Sequence, residues 1–195
     1  MDHPIRLVIT DDLKRSRLTV FFRLLLAIPH FIWLYLYAVV ALIVLIIAWF
    51  AALFMGRLPL GMHNFLANYL RYQVHIFSYL TLAANPYPSF SGSAPYPVDV
   101  EIAPPEKQSR LTVFFRILLA IPALIFSTVL NYVSEIVAVF AWFVAIFLGR
   151  IPEGMRNLLA YSVRYHAQTQ GYFNLLTSKY PSFNVGLDAE SAPNA

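Results

Sequence analysis

Leu18 to Gly56 reads LTVFFRLLLAIPHFIWLYLYAVVALIVLIIAWFAALFMG, with Arg23 as its one charged residue. A helix that crosses a bilayer needs about 20 apolar residues. The 38 residues from Leu18 to Met55 would extend roughly 57 Å as one helix, close to twice the roughly 30 Å hydrocarbon thickness. That length predicts a tight helical hairpin, with a single span kinked at Pro29 as the alternative. Trp33, Tyr35 and Tyr37 at the midpoint suit a hairpin tip, because their rings settle at the membrane interface.

The stretch returns 93 residues later without insertion or deletion. Ser16 to Pro29 matches Ser109 to Pro122 at 13 of 14 positions, Leu24 to Ile117 being the one change. Ala48-Trp49-Phe50 pairs with Ala141-Trp142-Phe143, and Gly56-Arg57-x-Pro59-x-Gly61-Met62-x-Asn64 with Gly149-Arg150-x-Pro152-x-Gly154-Met155-x-Asn157. Arg71-Tyr72 pairs with Arg164-Tyr165, and each copy closes on Tyr-Pro-Ser-Phe, at Tyr87 to Phe90 and Tyr180 to Phe183. The chain is therefore a tandem duplication. In the second copy the midpoint near Leu130 turns polar, with Asn131, Ser134 and Glu135.

These motifs, in this order, resemble domain of unknown function 4389, a family of bacterial, mainly actinobacterial, membrane proteins. The resemblance covers nearly the whole chain, twice. It implies a membrane location and brings no catalytic residue, substrate or cofactor with it. Two departures are visible: Tyr72 and Tyr165 stand where the family often has Trp, and Ser89 and Ser182 where a second Pro is common.

Composition points the same way. The 195 residues are 59% hydrophobic and 12% charged, with a mean hydropathy of +0.62, against about 45–50% and about 25% in soluble domains. A soluble globule of this size could not cover that much apolar surface. The absence of cysteine removes disulfides and thiolate chemistry. The net charge of +4 crowds the ends of the apolar runs, which suits anionic headgroups better than nucleic acid. Lys14, Arg15, Arg17, Arg57 and Arg71 flank the first run, and Lys107, Arg110, Arg150, Arg156 and Arg164 the second. Under the positive-inside rule both flanks are cytoplasmic, so each unit crosses an even number of times, with cytoplasmic termini. One crossing per unit would instead make an inverted repeat. Arg23 and Arg116 are expected to snorkel from the first turns.

After each Gly-Arg-x-Pro turn an amphipathic helix is expected in the interface. On the first, Met62, Phe65, Leu66, Tyr69, Leu70 and Phe77 share one face, and His63, Asn64, Arg71, His75 and Ser78 the other. In the second, Ser162, His166, Thr169 and Gln170 interrupt the apolar face, for packing against protein or lining a polar site. The alternating segments Pro4 to Ile9 and Pro97 to Ile102 read as strands that could pair with each other and with a third partner, Phe183 to Leu187 or another subunit.

The expected fold is an all-α integral membrane protein with short extramembrane strands. Residues 1–90 form the first unit, 91–108 the linker and opening strand of the second, 109–183 the second unit, and 184–195 a mobile tail. No metal site, cofactor site or catalytic constellation is legible among the five histidines or elsewhere. Candidate headgroup anchors are Arg57, Arg71, Arg150 and Arg164, and Glu135 is the one acid within an apolar run. The function expected is non-catalytic: a multi-pass cytoplasmic-membrane scaffold, accessory subunit or membrane-organising protein. Its partners would be lipid and other membrane subunits or further copies of itself. A small oligomeric transporter or channel is the alternative.

Overall fold

The computed structural model describes residues 3–184, and each unit has the same four elements in it. Strand β1 (Ile5–Ile9) leads to the short helix α1 (Arg17–Phe21), the long α2 (Arg23–Met55) and the returning α3 (Leu60–Leu80). Strand β2 (Val98–Ile102), α4 (Arg110–Phe114), α5 (Arg116–Leu148) and α6 (Glu153–Phe173) repeat the order. Of the expected tail only Asn184 lies within the described residues.

The hairpin expectation is corrected. α2 and α5 are each one continuous helix of 33 residues, about 50 Å long, with Pro29 and Pro122 inside. Nothing at Trp33 to Tyr37 or near Leu130 can turn the chain, since neither place holds glycine or a run of turn-forming residues. The helices stop where a left-handed residue is available. Gly56 and Gly149, both at φ 69°, return their N–H groups to Ala52 O and Ala145 O at 2.8 Å.

Contacts between the units come in exchanged twins. Arg15 N donates to Gly149 O at 2.8 Å, and Gln108 N, the counterpart of Arg15, donates to Gly56 O at 2.9 Å. Trp142 Nε1 donates to Val20 O and Trp49 Nε1 to Val113 O, both at 2.9 Å. Arg17 Nη2 donates to Phe147 O at 3.1 Å, and Arg110 Nη2 to Phe54 O at 3.0 Å. The antiparallel sheet has the same symmetry: Leu7 pairs with its own counterpart Val100, Ile5 with Ile102, and Ile9 with Val98. A pseudo-two-fold axis therefore passes through the Leu7–Val100 pair, and the chain is an internal dimer joined by an isologous interface.

The direction of the long helices follows from that axis. Leu24 shares a groove with Trp142 and Phe143, and Ile117 shares the twin groove with Trp49. A two-fold axis holds the counterparts Trp49 and Trp142 at equal height. Leu24 and Trp49, separated by about 37 Å along one helix, then stand at equal height too. So α2 and α5 lie perpendicular to the axis and run antiparallel.

Three layers stack along the axis: the sheet, α3 with α6, and α2 with α5. The sheet's apolar face, which includes Ile5, Leu7, Val98 and Val100, is buried on α3 and α6, while Arg6 and Glu101 on its other face are exposed. This seat replaces the third strand expected for Phe183 to Leu187. Phe183 and Asn184 are not in a strand, and Val185 to Leu187 lie outside the described residues. Gly171 permits the seat, since a Cβ there would fall 1.9 Å from Ile5 Cδ1.

The two amphipathic helices form the middle layer. α3 and α6 bury residues of both faces, His63, His75 and Ser78 along with Leu66 and Leu70, while Asn64 and Asn68 on α3 and Leu158 on α6 stay exposed. Much of their polar faces meets the sheet and the other middle helix. α2 and α5 instead expose apolar side chains around most of their circumference and bury a stripe of small ones, including Ala27, Ala41, Ala48 and Ala52 on α2. Of their most apolar stretches only 17% and 22% is buried, so neither is the core helix of a soluble protein. Both are long and apolar enough to cross a membrane.

Trp49→Phe and Trp142→Phe each remove one half of a twin hydrogen bond. Each is expected to cost about 0.5–1.5 kcal/mol, by similar amounts, measured as thermal unfolding in detergent. A loss from only one of the two would contradict the two-fold exchange.

Candidate functional site

The exchange of entry segments builds two cationic corners, one at each end of the α2/α5 layer. At the first, Lys14 and Arg150 pair in an antiparallel bridge, with Arg17 held on Phe147 O. At the second, Lys107 pairs with Arg57, and Arg110 is held on Phe54 O. All six side chains belong to exposed residues. Arg17 and Arg110 sit on the last turns of α5 and α2, where the carbonyl ends of long helices favour cations. Around them Leu18, Phe21, Phe54, Leu111, Phe114 and Phe147 are exposed, so charge and apolar surface adjoin.

Of the four expected headgroup anchors, Arg57 and Arg150 belong to these corners. The other two lie away from them. Arg71 is partly exposed and ties α3 to β2, its Nε 3.3 Å from Asp99 Oδ1 and its Nη2 donating to Val100 O. Arg164 is buried over the Tyr161 ring at 5.2 Å. Both belong to the middle layer. Glu135 is exposed on α5, beside the groove that α5 forms with α2.

Arg23 and Arg116 do not snorkel. Both are buried and reach the carbonyl ends of the middle helices. Arg23 donates to Tyr79 O, to Ala84 O at 3.0 Å and to Asn85 Oδ1, with its guanidinium 4.3 Å from the Tyr79 ring centroid. Arg116 donates to Thr177 O at 3.1 Å and to Gln108 Oε1, 4.1 Å from the Tyr172 ring. The helix ends they meet turn through left-handed Leu82 and Leu175, whose free carbonyls need donors. Arg15 completes the first end, bonding Leu82 O and Ala83 O and pairing with buried Asp11 at 2.8 Å. In the second unit Gln108 takes that place, with Nε2 donating to Leu175 O at 2.6 Å.

One titratable cluster has no counterpart across the axis. His75 Nε2 is 2.9 Å from Asp99 Oδ1 and stacks on Tyr96 at 4.4 Å. The equivalent pair is Gln168 and Arg6. Gln168 Nε2 donates to Ile5 O, and its Oε1 accepts from Ser182, so that position serves as a tie between sheet and closing motif. Burial works against the Asp99 charge, but the His75 bond, the Val100 N–H and the Arg71 guanidinium outweigh it and hold the carboxyl below the ordinary carboxylate range. No group of three metal-binding side chains occurs among the described residues.

The sequence placed cations at the ends of the apolar runs but could not pair Lys14 with Arg150 or Lys107 with Arg57, since those contacts join different units. The signal for Arg23 and Arg116 was present: an arginine kept in both copies inside an apolar run. The Asp99–His75 pair left none.

The family model described as Domain of unknown function (DUF4389) matches residues 17–92 and again 110–184. Neither the curated proteins nor the solved structures provide a match to the chain.

A lowered carboxyl contributes stability above its unfolded pKa, and that stability is lost as pH falls through the folded value. Asp99→Asn is therefore expected to destabilise by about 1–3 kcal/mol at pH 7. The gap to wild type should close below about pH 4, as read by denaturation in detergent across pH. A gap that persists at acid pH would show that Asp99 acts through packing.

Proposed function

As this chain belongs to the DUF4389 family in two tandem copies, and that description carries no activity, we propose from the geometry that it is a non-catalytic scaffold set into one leaflet of a membrane. The observation that carries this reading is the direction of the pseudo-two-fold axis. If α2 and α5 crossed the bilayer, the axis would lie in the membrane plane at mid-depth. The sheet, which the axis pierces, would then present Arg6, Glu101 and two open strand edges to hydrocarbon. Lipid-exposed sheet edges do not occur there, and charged groups are costly. With the axis along the membrane normal, the charged sheet face meets water, α3 and α6 lie at headgroup level, and α2 and α5 are immersed side by side. Two helices of about 50 Å held in one leaflet spread it relative to the other, which supports a membrane-organising role.

A second reading is an oligomeric transporter in which α2 and α5 cross as an inverted repeat and neighbours cover the sheet. It is favoured by a polar seam confined to the second unit. Ser127 Oγ and Asn131 Nδ2 lie 3.4 and 3.5 Å from His166 Nδ1, where the first unit has Leu34, Ala38 and Gln73. Burial pushes His166 down to about 4, so the seam is neutral near pH 7.

The cysteine-free sequence makes the test direct. Single cysteines at Ser16 and Ser109, counterparts at opposite ends of the long-helix layer, are treated with a membrane-impermeant maleimide in sealed, uniformly oriented vesicles. The in-plane reading predicts that both react from one side. Reaction from opposite sides would establish crossing helices and the inverted repeat.

A further inference from the structure

Two apolar grooves run between α2 and α5, related by the axis. The first, about 550 Å³, has Leu24, Ala138 and Phe143 in its walls; the second, about 310 Å³, has Ile117, Leu45 and Trp49. Both volumes lie in the range of ligand-binding clefts. Each groove stops about one helical turn short of a cationic corner. Phe143 is four residues from Phe147, whose carbonyl holds Arg17, and Trp49 is five from Phe54, whose carbonyl holds Arg110.

We propose that each groove and its corner form a site for one anionic phospholipid, with an acyl chain in the groove and the phosphate on the corner. The first phosphate would meet Lys14, Arg17 and Arg150, and the second Lys107, Arg110 and Arg57. Charge complementarity argues for this occupant. A bare helix C-terminus repels an anion, but here a guanidinium stands on each one. Arg17 and Arg110 each commit one nitrogen to a carbonyl and keep further donors in a fork that matches phosphate.

The two corners differ in charge. Lys14 has Asp12 at 3.9 Å, whereas among the described residues no ion pair within 4.0 Å is recorded for Arg57, Lys107 or Arg110. The second corner therefore holds the headgroup more tightly, and the first groove offers the chain more room. A free phosphate would use the corners and leave the grooves without a role.

The placement of both lipids in one leaflet rests on the in-plane reading. Their binding does not, because it is measured on the full chain in a neutral detergent. Native mass spectrometry with phosphatidylglycerol, and with phosphatidylcholine in parallel, is expected to find up to two retained phosphatidylglycerol molecules and fewer of the neutral lipid. Each Lys or Arg near an anionic surface is worth roughly fivefold in affinity, so removing three weakens a site by about a hundredfold. K14Q/R17Q/R150Q and R57Q/K107Q/R110Q should therefore each retain one molecule. Ala138→Phe fills the first groove, leaves Lys14, Arg17 and Arg150 of its corner unaltered, and should also leave one. Equal retention of the two lipids, or phosphatidylglycerol retention unchanged in both triple variants, overturns the assignment. Inorganic phosphate that displaces the lipid equally from wild type and Ala138→Phe, with two molecules retained by each beforehand, would make the corners free-anion sites and remove the acyl seat. Failure of the in-plane reading alone would appear as labelling from opposite sides with lipid retention intact.

Discussion

The structure depends on a reciprocal exchange: the entry segment of each unit ends on the long helix of the other. Two indole N–H groups, two arginines and two short bridges hold it, and each bond has a twin across the axis. The exchange fixes α2 and α5 antiparallel with their ends in register. It also brings β1 beside β2, although nearly the whole first unit separates them in sequence. A sheet of two strands is marginal alone, and here it is held by an apolar seat on α3 and α6.

Duplication gives this internal dimer a freedom that two identical chains lack. The arginine caps at Arg23 and Arg116 are kept in both halves because both middle helices end on the same exposed carbonyls. Away from those ends the halves have diverged. His75 and Asp99 stand against Gln168 and Arg6, Arg15 against Gln108, and Leu42 against Glu135. The first unit packs Tyr37 on Phe65 and Tyr69, whereas the second carries the polar seam around His166. These differences break the symmetry and leave the exchange intact.

The repeat, the two strands and the ends of the apolar runs were legible in the sequence because each is a local pattern: a 93-residue offset, a period of two, and Gly56 or Gly149 followed by Arg and Pro. The hairpin reading went astray because it set helix length against bilayer thickness, a comparison that assumes the helix stands across the membrane. α3 and α6 were amphipathic as expected, but much of their polar faces is covered by the sheet and by each other, partners no single segment announces. For the same reason the sequence could not show that Arg71 meets Asp99 of β2 and that Arg164 is buried, while Arg57 and Arg150 are exposed. Arg23 and Arg116 were read as interfacial from their distance to the helix start, yet their partners lie some sixty residues downstream.

The central claim is that the long helices lie in the plane of the membrane, and the most direct measurement is polarised infrared dichroism of the amide I band in oriented bilayers. The in-plane account predicts a helix order parameter of negative sign, since α2, α3, α5 and α6 would all lie near the bilayer plane. A positive order parameter, with the long helices near the normal, would contradict it and put the charged sheet at mid-depth against a protein neighbour.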